Sequence, residues 1–440
     1  MVLQGLKHFM FLGWISGAIR IKSPKGVPEA VPKKHPFSLL FLILLITNMI
    51  IRLDFYLILR NSSPKEESAV TRFLYFSMLI GESVFDIFFR STLLLRSKLV
   101  VRFLKTLEAD MKKFAEYIHL SERDRKGWKF CARLIHLSLL FHLVSGALNT
   151  NWVSKILSYS GKRGSFLLKF IPEPLYIILF FVIGELPILF SISFAFATVI
   201  VTTFHLLWIF YDFCESMEEQ VLAYNGKENL ALVKTHLGEL DSVFSVTATA
   251  IKMQNEEDGE PRKRRLVIGE PMSVDKLVGK LEHLKLICGQ FDKVCGTILL
   301  GLIVRAVYVL VSSANSILLY SNPENMAERK AKYILDLFLF IMEISQLWLL
   351  PLGYMFKTKI NEWKEKLSRM VIFMTNLEAR TDMTNVITAF NEWNWVPTGG
   401  PGFFDVDRPL LSGIVSSLMT YVTIIFQLNA PSTSSETAVE

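Results

Sequence analysis

The sequence predicts an all-α membrane protein with seven transmembrane helices, its N-terminus inside and its C-terminus outside, and helical extensions into the cytoplasm. Hydrophobic residues make up 51% of the 440 residues, and the mean hydropathy of +0.37 is high for a soluble chain of this length. The apolar residues form long blocks, several of which reach the roughly 20 residues that cross a hydrocarbon core. Lys and Arg are concentrated beside alternate blocks, which sets the predicted orientation.

Seven apolar blocks are the predicted spans, each with bounds accurate to a few residues. They are Ser38–Leu59, Phe73–Leu95, Phe130–Asn151, Leu186–Phe210, Val294–Tyr320, Tyr333–Phe356 and Leu411–Leu428. The spans divide the chain into an N-terminal segment, a six-helix bundle with a large inner loop, a cytoplasmic anchor segment, a last helix and a tail. The corresponding ranges are 1–37, 38–356 with the loop at 213–290, 357–410, 411–428 and 429–440.

The apolar stretch from Pro174 to Phe213 is longer than one span needs. It could form two spans that turn at Gly184–Pro187, or one span with an apolar lead-in. With seven spans and an inner N-terminus, 33 Lys and Arg lie inside and 8 outside. An eighth span would move the basic cluster Arg262–Arg265 to the outside. The positive-inside rule therefore favours seven.

Residues near the predicted loops refine this topology. Asn61-Ser62-Ser63 is an N-glycosylation sequon in a loop predicted to be outside, so Asn61 is a candidate glycosylation site. Both ends of the 213–290 loop show helical periodicity, which predicts that the fourth and fifth spans continue into the cytoplasm as helices. Between them, Gln254–Pro271 is charged and contains Gly and Pro, as is typical of a loop.

No pattern indicates an enzyme, a metal site or a cofactor. The four cysteines lack metal-ligand spacing, and neither a P-loop nor a zinc-protease or serine-hydrolase motif is present. Gly399–Gly402 is glycine-rich but precedes an apolar helix, which favours a flexible hinge over a phosphate-binding loop. The basic residues flank apolar blocks, so the positive net charge of +7 predicts contact with membrane lipid rather than nucleic acid.

Three ionisable residues of the second span share one helix face. Glu82, Asp86 and Arg90 follow one another at intervals of four, which predicts a charge network inside the membrane, with Arg52 or Arg305 as further partners. Such a network either fixes helix packing or serves gating and ligand binding.

Polar and aromatic residues also collect toward the predicted outer ends of the spans. Together they could line an outward-facing pocket for a polar ligand, although each alone could equally be a helix-packing residue or an interfacial anchor. The candidates are Asn149, Trp152, Glu185, Tyr308, Asn315, Tyr333 and Asp336.

The last span carries a polar stripe on an otherwise apolar helix. At 100° per residue its members fall within an arc of about 80°. They are Ser412, Ser416, Thr420, Thr423 and Gln427. Hydroxyl and amide groups in this arrangement suit either the water-lined wall of a pore or a packing seam between helices. One helix cannot enclose a channel, so a pore requires several copies around an axis.

The same span resembles the signature of insect gustatory receptors, in which a Thr-Tyr pair precedes five mostly apolar residues and Gln-Phe. Here Thr420-Tyr421 precedes Gln427-Leu428, and Gly402–Asp407 is similar to the short motif that the family carries before its last helix. Leu428 stands where the family has Phe, and Thr423 places a hydroxyl in the apolar run. The seven spans and the inner N-terminus fit the same family.

The resemblance implies a ligand-gated, non-selective cation channel for a small tastant, either a sugar or a bitter compound. It implies a plasma-membrane protein of sensory neurons, in which four identical or related chains surround a pore. Residues 411–428 would be the pore helix, lined by the polar stripe and Leu428, and residues 38–356 the ligand-binding bundle. The alternatives are a G-protein-coupled receptor, which would need the opposite orientation, and a small-molecule transporter, for which no internal repeat is found.

Overall fold

The fold is almost entirely helical in the described part of the chain. The computed structural model describes residues 10, 11, 14, 19, 21–22, 29–30, 36–62, 69–117, 122–160, 164–252, 273–319, 326–347, 350–372, 374, 376–400, 402 and 404–429. Its ten α-helices in this part are α1 (Pro36–Ser62), α2 (Ala69–Tyr117), α3 (Glu122–Ser160), α4 (Glu173–Leu179), α5 (Leu186–Lys252), α6 (Val274–Leu319), α7 (Met326–Gln346), α8 (Leu350–Ile372), α9 (Leu377–Asn391) and α10 (Arg408–Asn429). Two antiparallel pairs of two-residue strands accompany them: β1 (Ile21–Lys22) with β2 (Glu29–Ala30), and β3 (Thr398–Gly399) with β4 (Phe404–Asp405).

Each predicted span coincides with helix, and several helices are longer than the span they contain. The predicted helical continuation into residues 213–290 is confirmed, because α5 runs to Lys252 and α6 begins at Val274. The predicted loop Gln254–Pro271 lies outside the described residues. The sequence predicted that Asn61 lies in a loop. In the structure it lies in the last turn of α1, so the first residue of the sequon is helical.

The long apolar stretch after α3 forms one uninterrupted helical run. A π-helix at Phe180–Glu185 joins α4 to α5, and no turn occurs at Gly184–Pro187. The two-span alternative requires a reversal there, so the structure favours a single span with an apolar lead-in. Pro187 is compatible with the run because it lies in the first turn of α5, where the preceding π-helix alters the hydrogen-bond ladder.

The sixth predicted span, Tyr333–Phe356, falls on two described helices. α7 ends at Gln346 and α8 begins at Leu350, and residues 348–349 lie outside the described part of the chain. Pro351 suits the first turn of α8, because proline lacks an N–H and is tolerated there.

Two helical segments are long and apolar enough to cross a membrane by length and composition. They are Glu173–Val221 and Val274–Ala314, and both are found within the described part of the chain. Pro409–Ile424 forms a shorter apolar helix.

The chain divides into two compact units. The first comprises residues 1–205, 290–354 and 397–440, and the second comprises residues 206–289 and 355–396. One core cluster of the first unit is formed by α1, α3, α4 and the π-helix around Phe55, whose ring meets those of Trp152 and Phe180 edge-on at 5.6 and 5.3 Å. A second cluster brings Val309 of α6 against Leu339 of α7.

The second unit is held by aromatic packing and by lysine side chains. The rings of Phe213 and Phe390 lie 5.3 Å apart. Lys280 donates to the Asp212 carboxylate at 3.0 Å and to the Ser216 hydroxyl at 2.7 Å. Lys364 donates to the Asn391 carbonyl at 2.8 Å, and partial burial lowers the pKa of this lysine.

A β-hairpin fixes the start of the last helix. Strands β3 and β4 pair across a turn in which Gly400 and Gly402 have φ angles of 63° and 73°, a region that favours glycine. The hairpin is bonded to α6, because the Gly400 amide donates to the Gly296 carbonyl at 2.7 Å and the Thr398 amide donates to Asp292 at 3.1 Å. Gly399–Gly402 was predicted to be a flexible hinge. In the structure Gly399 is paired in β3, and Gly400 and Gly402 take positive φ angles, while the flexibility of the run stays a prediction.

Candidate functional site

A chain of buried polar side chains crosses the first unit. It begins on α2, where Arg90 Nε donates to Asp86 Oδ1 at 2.6 Å. The two residues are four apart, so they meet on one helix face. The second oxygen of Asp86 accepts from Asn48 Nδ2 of α1 at 2.7 Å. Asp86 and Arg90, two members of the predicted charge network, therefore form an ion pair that reaches a neighbouring helix. The side chain of Glu82, the third member, lies outside the described part of the structure.

The chain of contacts continues from α1 to two further elements. Arg52 Nε donates to Asn48 Oδ1 at 3.2 Å, and Arg52 Nη2 donates to Glu185 Oε1 at 3.0 Å. The same Glu185 oxygen accepts from Asn149 Nδ2 of α3 at 3.0 Å. Glu185 is the last residue of the π-helix, so its side chain joins that element to α1 and α3. Six side chains thereby tie four helical elements together.

This buried network contains two cations and two anions among the side chains that its hydrogen bonds join. Paired burial avoids the several kcal/mol that an isolated buried charge costs. The pairing at Arg90 is incomplete, because its two terminal nitrogens have no hydrogen-bond partner in the described structure. The Arg90 guanidinium, which can donate five hydrogen bonds, thus donates one, to Asp86. The network can fix the relative positions of the helices, and a change in one helix would move charged atoms on the others.

A second buried ion pair lies between α6 and α7. Arg305 donates to the carboxylate of Glu343, and both residues are buried. The sequence suggested Arg305 as a partner of the Glu82–Arg90 network, whereas in the structure Arg305 forms its ion pair with Glu343. Arg52, the other partner that the sequence suggested, is linked to Asp86 through the side chain of Asn48.

The polar stripe of α10 faces away from the covered side of the helix. Its five members, Ser412 to Gln427, are all exposed, whereas the half-buried residues fall on another face. The half-buried residues are Leu410, Leu411, Ile414, Leu418, Tyr421 and Val422. On a helix of 100° per residue the centres of these two faces are roughly 180° apart. The stripe is therefore not a packing seam between α10 and the rest of its own chain.

α10 is weakly covered along its whole described length. Every described residue of this helix is half-buried or exposed, including the apolar Val415, Met419 and Ile424, which are 48%, 65% and 49% exposed. The hydroxyls of Thr420 and Thr423 donate to the backbone carbonyls of Ser416 and Met419 at 3.0 and 2.8 Å. Their oxygens still present lone pairs outward, which is the chemistry that solvates a cation. The Leu428 side chain lies outside the described part.

Comparison with solved structures identifies this arrangement of helices. The structure of the insect olfactory receptor OR5 from Machilis hrabei in complex with eugenol matches over 97% of this chain and 98% of that chain, with a TM-score of 0.57 and 12% sequence identity. A second structure of that receptor matches over the same shares, with a TM-score of 0.55 and 13% identity. The chain has the fold of an insect olfactory receptor. No protein-family model and no curated protein matches its sequence.

The insect olfactory-receptor fold confirms, at the level of architecture, the resemblance to insect chemoreceptors that the sequence predicted. Within this fold the structure gives contacts for several of the predicted pocket residues. Asn149 and Glu185 are hydrogen-bonded to each other, and Trp152 packs on the core around Phe55. Tyr308 lies against the backbone of Gly81, where an added Cβ would come within 2.2 Å of its ring.

The remaining pocket candidates differ in exposure along α7 or fall outside the description. Asp336 is fully buried, whereas Tyr333, three residues earlier, is 38% exposed. The side chain of Asn315 lies outside the described residues. The described structure therefore joins Asn149 to Glu185 by a direct hydrogen bond.

Sequence reasoning missed two residues that organise this receptor fold. Asn48 links Arg52 to Asp86, and its only sequence signal is a polar side chain one helical turn before an arginine within an apolar block. Asp292 accepts from the hairpin amide of Thr398, 106 residues away. Nothing local in the sequence indicates this second contact.

Proposed function

We propose that this chain is a gustatory-type insect chemoreceptor that acts as a ligand-gated, non-selective cation channel in the plasma membrane of sensory neurons. The observation that carries the proposal is the orientation of α10. In a chain with the insect olfactory-receptor fold, the polar stripe of the last helix points away from the half-buried face. Four copies, identical or related, would bring these stripes together around a central axis.

The roles follow from position along the stripe. Ser412, Ser416, Thr420 and Thr423 line the conduction path with hydroxyl oxygens. Gln427 forms a ring of amides at one end, and Leu428 forms an apolar ring beside it that excludes water in the closed state. Oxygen dipoles without fixed charge attract cations weakly, which suits non-selective permeation.

The six-helix bundle at 38–356 supplies the ligand site in this proposal. The related OR5 receptor was solved with eugenol, a small aromatic molecule. For this chain we propose a small tastant, a sugar or a bitter compound, near Asn149, Trp152, Glu185, Tyr308, Asn315, Tyr333 and Asp336. Glycosylation of Asn61 and an anchor role for 357–410 belong to the same proposal.

Whole-cell recording from cells that express this chain alone tests the function. A panel of sugars, bitter compounds and eugenol is applied without added G protein. We expect a ligand-evoked cation current that appears without a second-messenger delay. Currents that require a G protein, or substrate uptake without current, would contradict the channel.

A further inference from the structure

The segment between α3 and α4 is held tightly to α1. Asp54, which is fully buried, accepts three hydrogen bonds from it: from Ser165 Oγ at 2.6 Å, from the Phe166 amide at 2.8 Å and from the Leu167 amide at 3.2 Å. Ser165 Oγ in turn accepts from the Leu168 amide at 2.9 Å, which caps the 3₁₀ turn Leu167–Lys169. The orientation of side chains in this segment is therefore set by the fold.

The two sides of this fixed segment are both apolar. On its inner side Leu168 is buried, and Leu167 and Ile171 pack against the core around Phe55. On its outer side Phe166 and Phe170 are 37% and 83% exposed. A rigid segment that presents two phenylalanine rings outward needs an apolar surrounding, because exposed rings in water are unfavourable.

The outward apolar surface continues along the helix that follows. Leu175, Ile178 and Val182 are about half exposed, and their spacing of three and four residues places them on roughly one face. This face belongs to Glu173–Val221, the most apolar of the candidate membrane spans described. The exposed phenylalanines therefore precede, along the chain, an apolar helix face that hydrocarbon would surround in a membrane.

We infer that residues 164–172 are not a loop in bulk water but an interfacial anchor that rests in phospholipid. Phe170 and Phe166 enter the boundary between headgroups and acyl chains. Lys169, exposed between them, reaches the headgroup phosphates with its ammonium group. Asp54 holds the anchor in place on α1, and through α1 the anchor sets the depth of the buried network at Arg52.

Lipid fits this surface better than a second copy of the chain does. A stable protein interface has a polar rim and directional hydrogen bonds around its apolar centre. The outward side here offers two phenyl rings, an aliphatic stripe and one ammonium group. That composition matches a membrane interface, where aromatic rings and lysine are enriched.

Spin labelling in phosphatidylcholine vesicles tests the anchor. Phe170→Cys is made in a Cys131→Ser background. The Cys131→Ser parent, treated with the same spin label, verifies that the buried Cys214, Cys288 and Cys295 take no label. The nitroxide is exposed to oxygen, which partitions into lipid, and to a nickel chelate, which stays in water. Val182→Cys serves as the lipid reference, and Ser158→Cys, exposed near the end of α3, serves as the water reference.

We expect the oxygen-to-nickel ratio at Phe170 to be several-fold above that at Ser158 and to approach that at Val182. A ratio equal to that at Ser158 would show a water-exposed loop and overturn the inference. Protection from both reagents would show a second copy or another protein on this surface, and would overturn it equally. Phe170→Trp provides a label-free measurement, in which brominated phosphatidylcholine should quench its added fluorescence relative to the parent chain. Both readouts are independent of channel current.

Discussion

At the scale of single residues, the Arg90–Asp86 pair has the largest predicted effect. Removing Arg90 leaves the carboxylate of Asp86 buried with only Asn48 as a hydrogen-bond partner. We expect Arg90→Ala to lower the free energy of unfolding by about 3 kcal/mol, which is typical of a broken buried pair. Thermal unfolding of detergent-solubilised receptor measures the change. Arg102→Ala on the same helix is the matched control, because Arg102 is exposed.

The double variant Arg90→Leu with Asp86→Leu separates charge from packing. Replacing both partners removes the uncompensated charge, so this variant should recover most of the stability lost in Arg90→Ala. Normal stability of Arg90→Ala together with an altered ligand response would instead give the pair a role in gating or binding.

Glu185 is a residue whose internal contacts predict a structural role. One carboxylate oxygen accepts from both Arg52 and Asn149. Glu185→Gln keeps an acceptor oxygen but removes the negative charge opposite Arg52, so we expect a loss of about 1 to 3 kcal/mol in the free energy of unfolding. Because Glu185 also belongs to the proposed ligand site, the half-maximal ligand concentration should rise in this variant. An unchanged half-maximal concentration would leave Glu185 a structural residue outside the ligand site.

At the scale of elements, the hairpin before α10 depends on one glycine of α8. A Cβ added at Gly353 would lie 1.5 Å from the carbonyl oxygen of Val406, a backbone atom that cannot move without the hairpin. We expect Gly353→Ala to displace β4 and the start of α10, destabilising the chain by 1 to 3 kcal/mol or more and abolishing current. Gly279→Ala is the control, since a Cβ there meets nothing within 4 Å and alanine favours a helix. Equal currents in both variants would show that the hairpin does not position the last helix.

Two adjacent serines of α10 test whether the stripe lines a pore. Ser416 belongs to the stripe, and Ser417 is also exposed but lies roughly 100° around the helix. We expect a charged, water-soluble thiol reagent to reduce the open-state current of Ser416→Cys and to leave that of Ser417→Cys unchanged. Whole-cell recording during reagent application measures this. The reverse pattern, or protection at both positions, would make the stripe a seam between subunits.

The presence of the helices was predictable from the sequence, whereas the points where they end and the residues they contact were not. Blocks of apolar residues as long as those of α1 and α6 have one solution in lipid, because backbone groups must bond within the segment. The start of α8 depends on Pro351, and the pairing of β3 with β4 depends on packing against Gly296. Asn48 and Glu185 are 137 residues from each other in sequence, and only the folded arrangement joins both to Arg52.

At the scale of the whole molecule, orientation is the property that the charge distribution predicts most directly. With 33 basic residues on one side and 8 on the other, we expect the N-terminus and Arg262–Arg265 inside and residues 429–440 outside. Antibody staining of a C-terminal tag on unpermeabilised cells measures this. If the C-terminal tag stains only after permeabilisation while an N-terminal tag stains intact cells, the orientation is the opposite one. That result would favour the G-protein-coupled receptor.

The self-bonded threonines of α10 bear on how the proposed subunits would assemble. A subunit that has not yet met its partners would hold its last helix in the bilayer with the stripe facing acyl chains. The Thr420 and Thr423 hydroxyls already donate to the Ser416 and Met419 backbone carbonyls, so neither hydroxyl proton needs a partner in lipid. In the proposed assembly, the side chains that we assign to conduction would thus also lower the free-energy cost of an unassembled last helix in lipid.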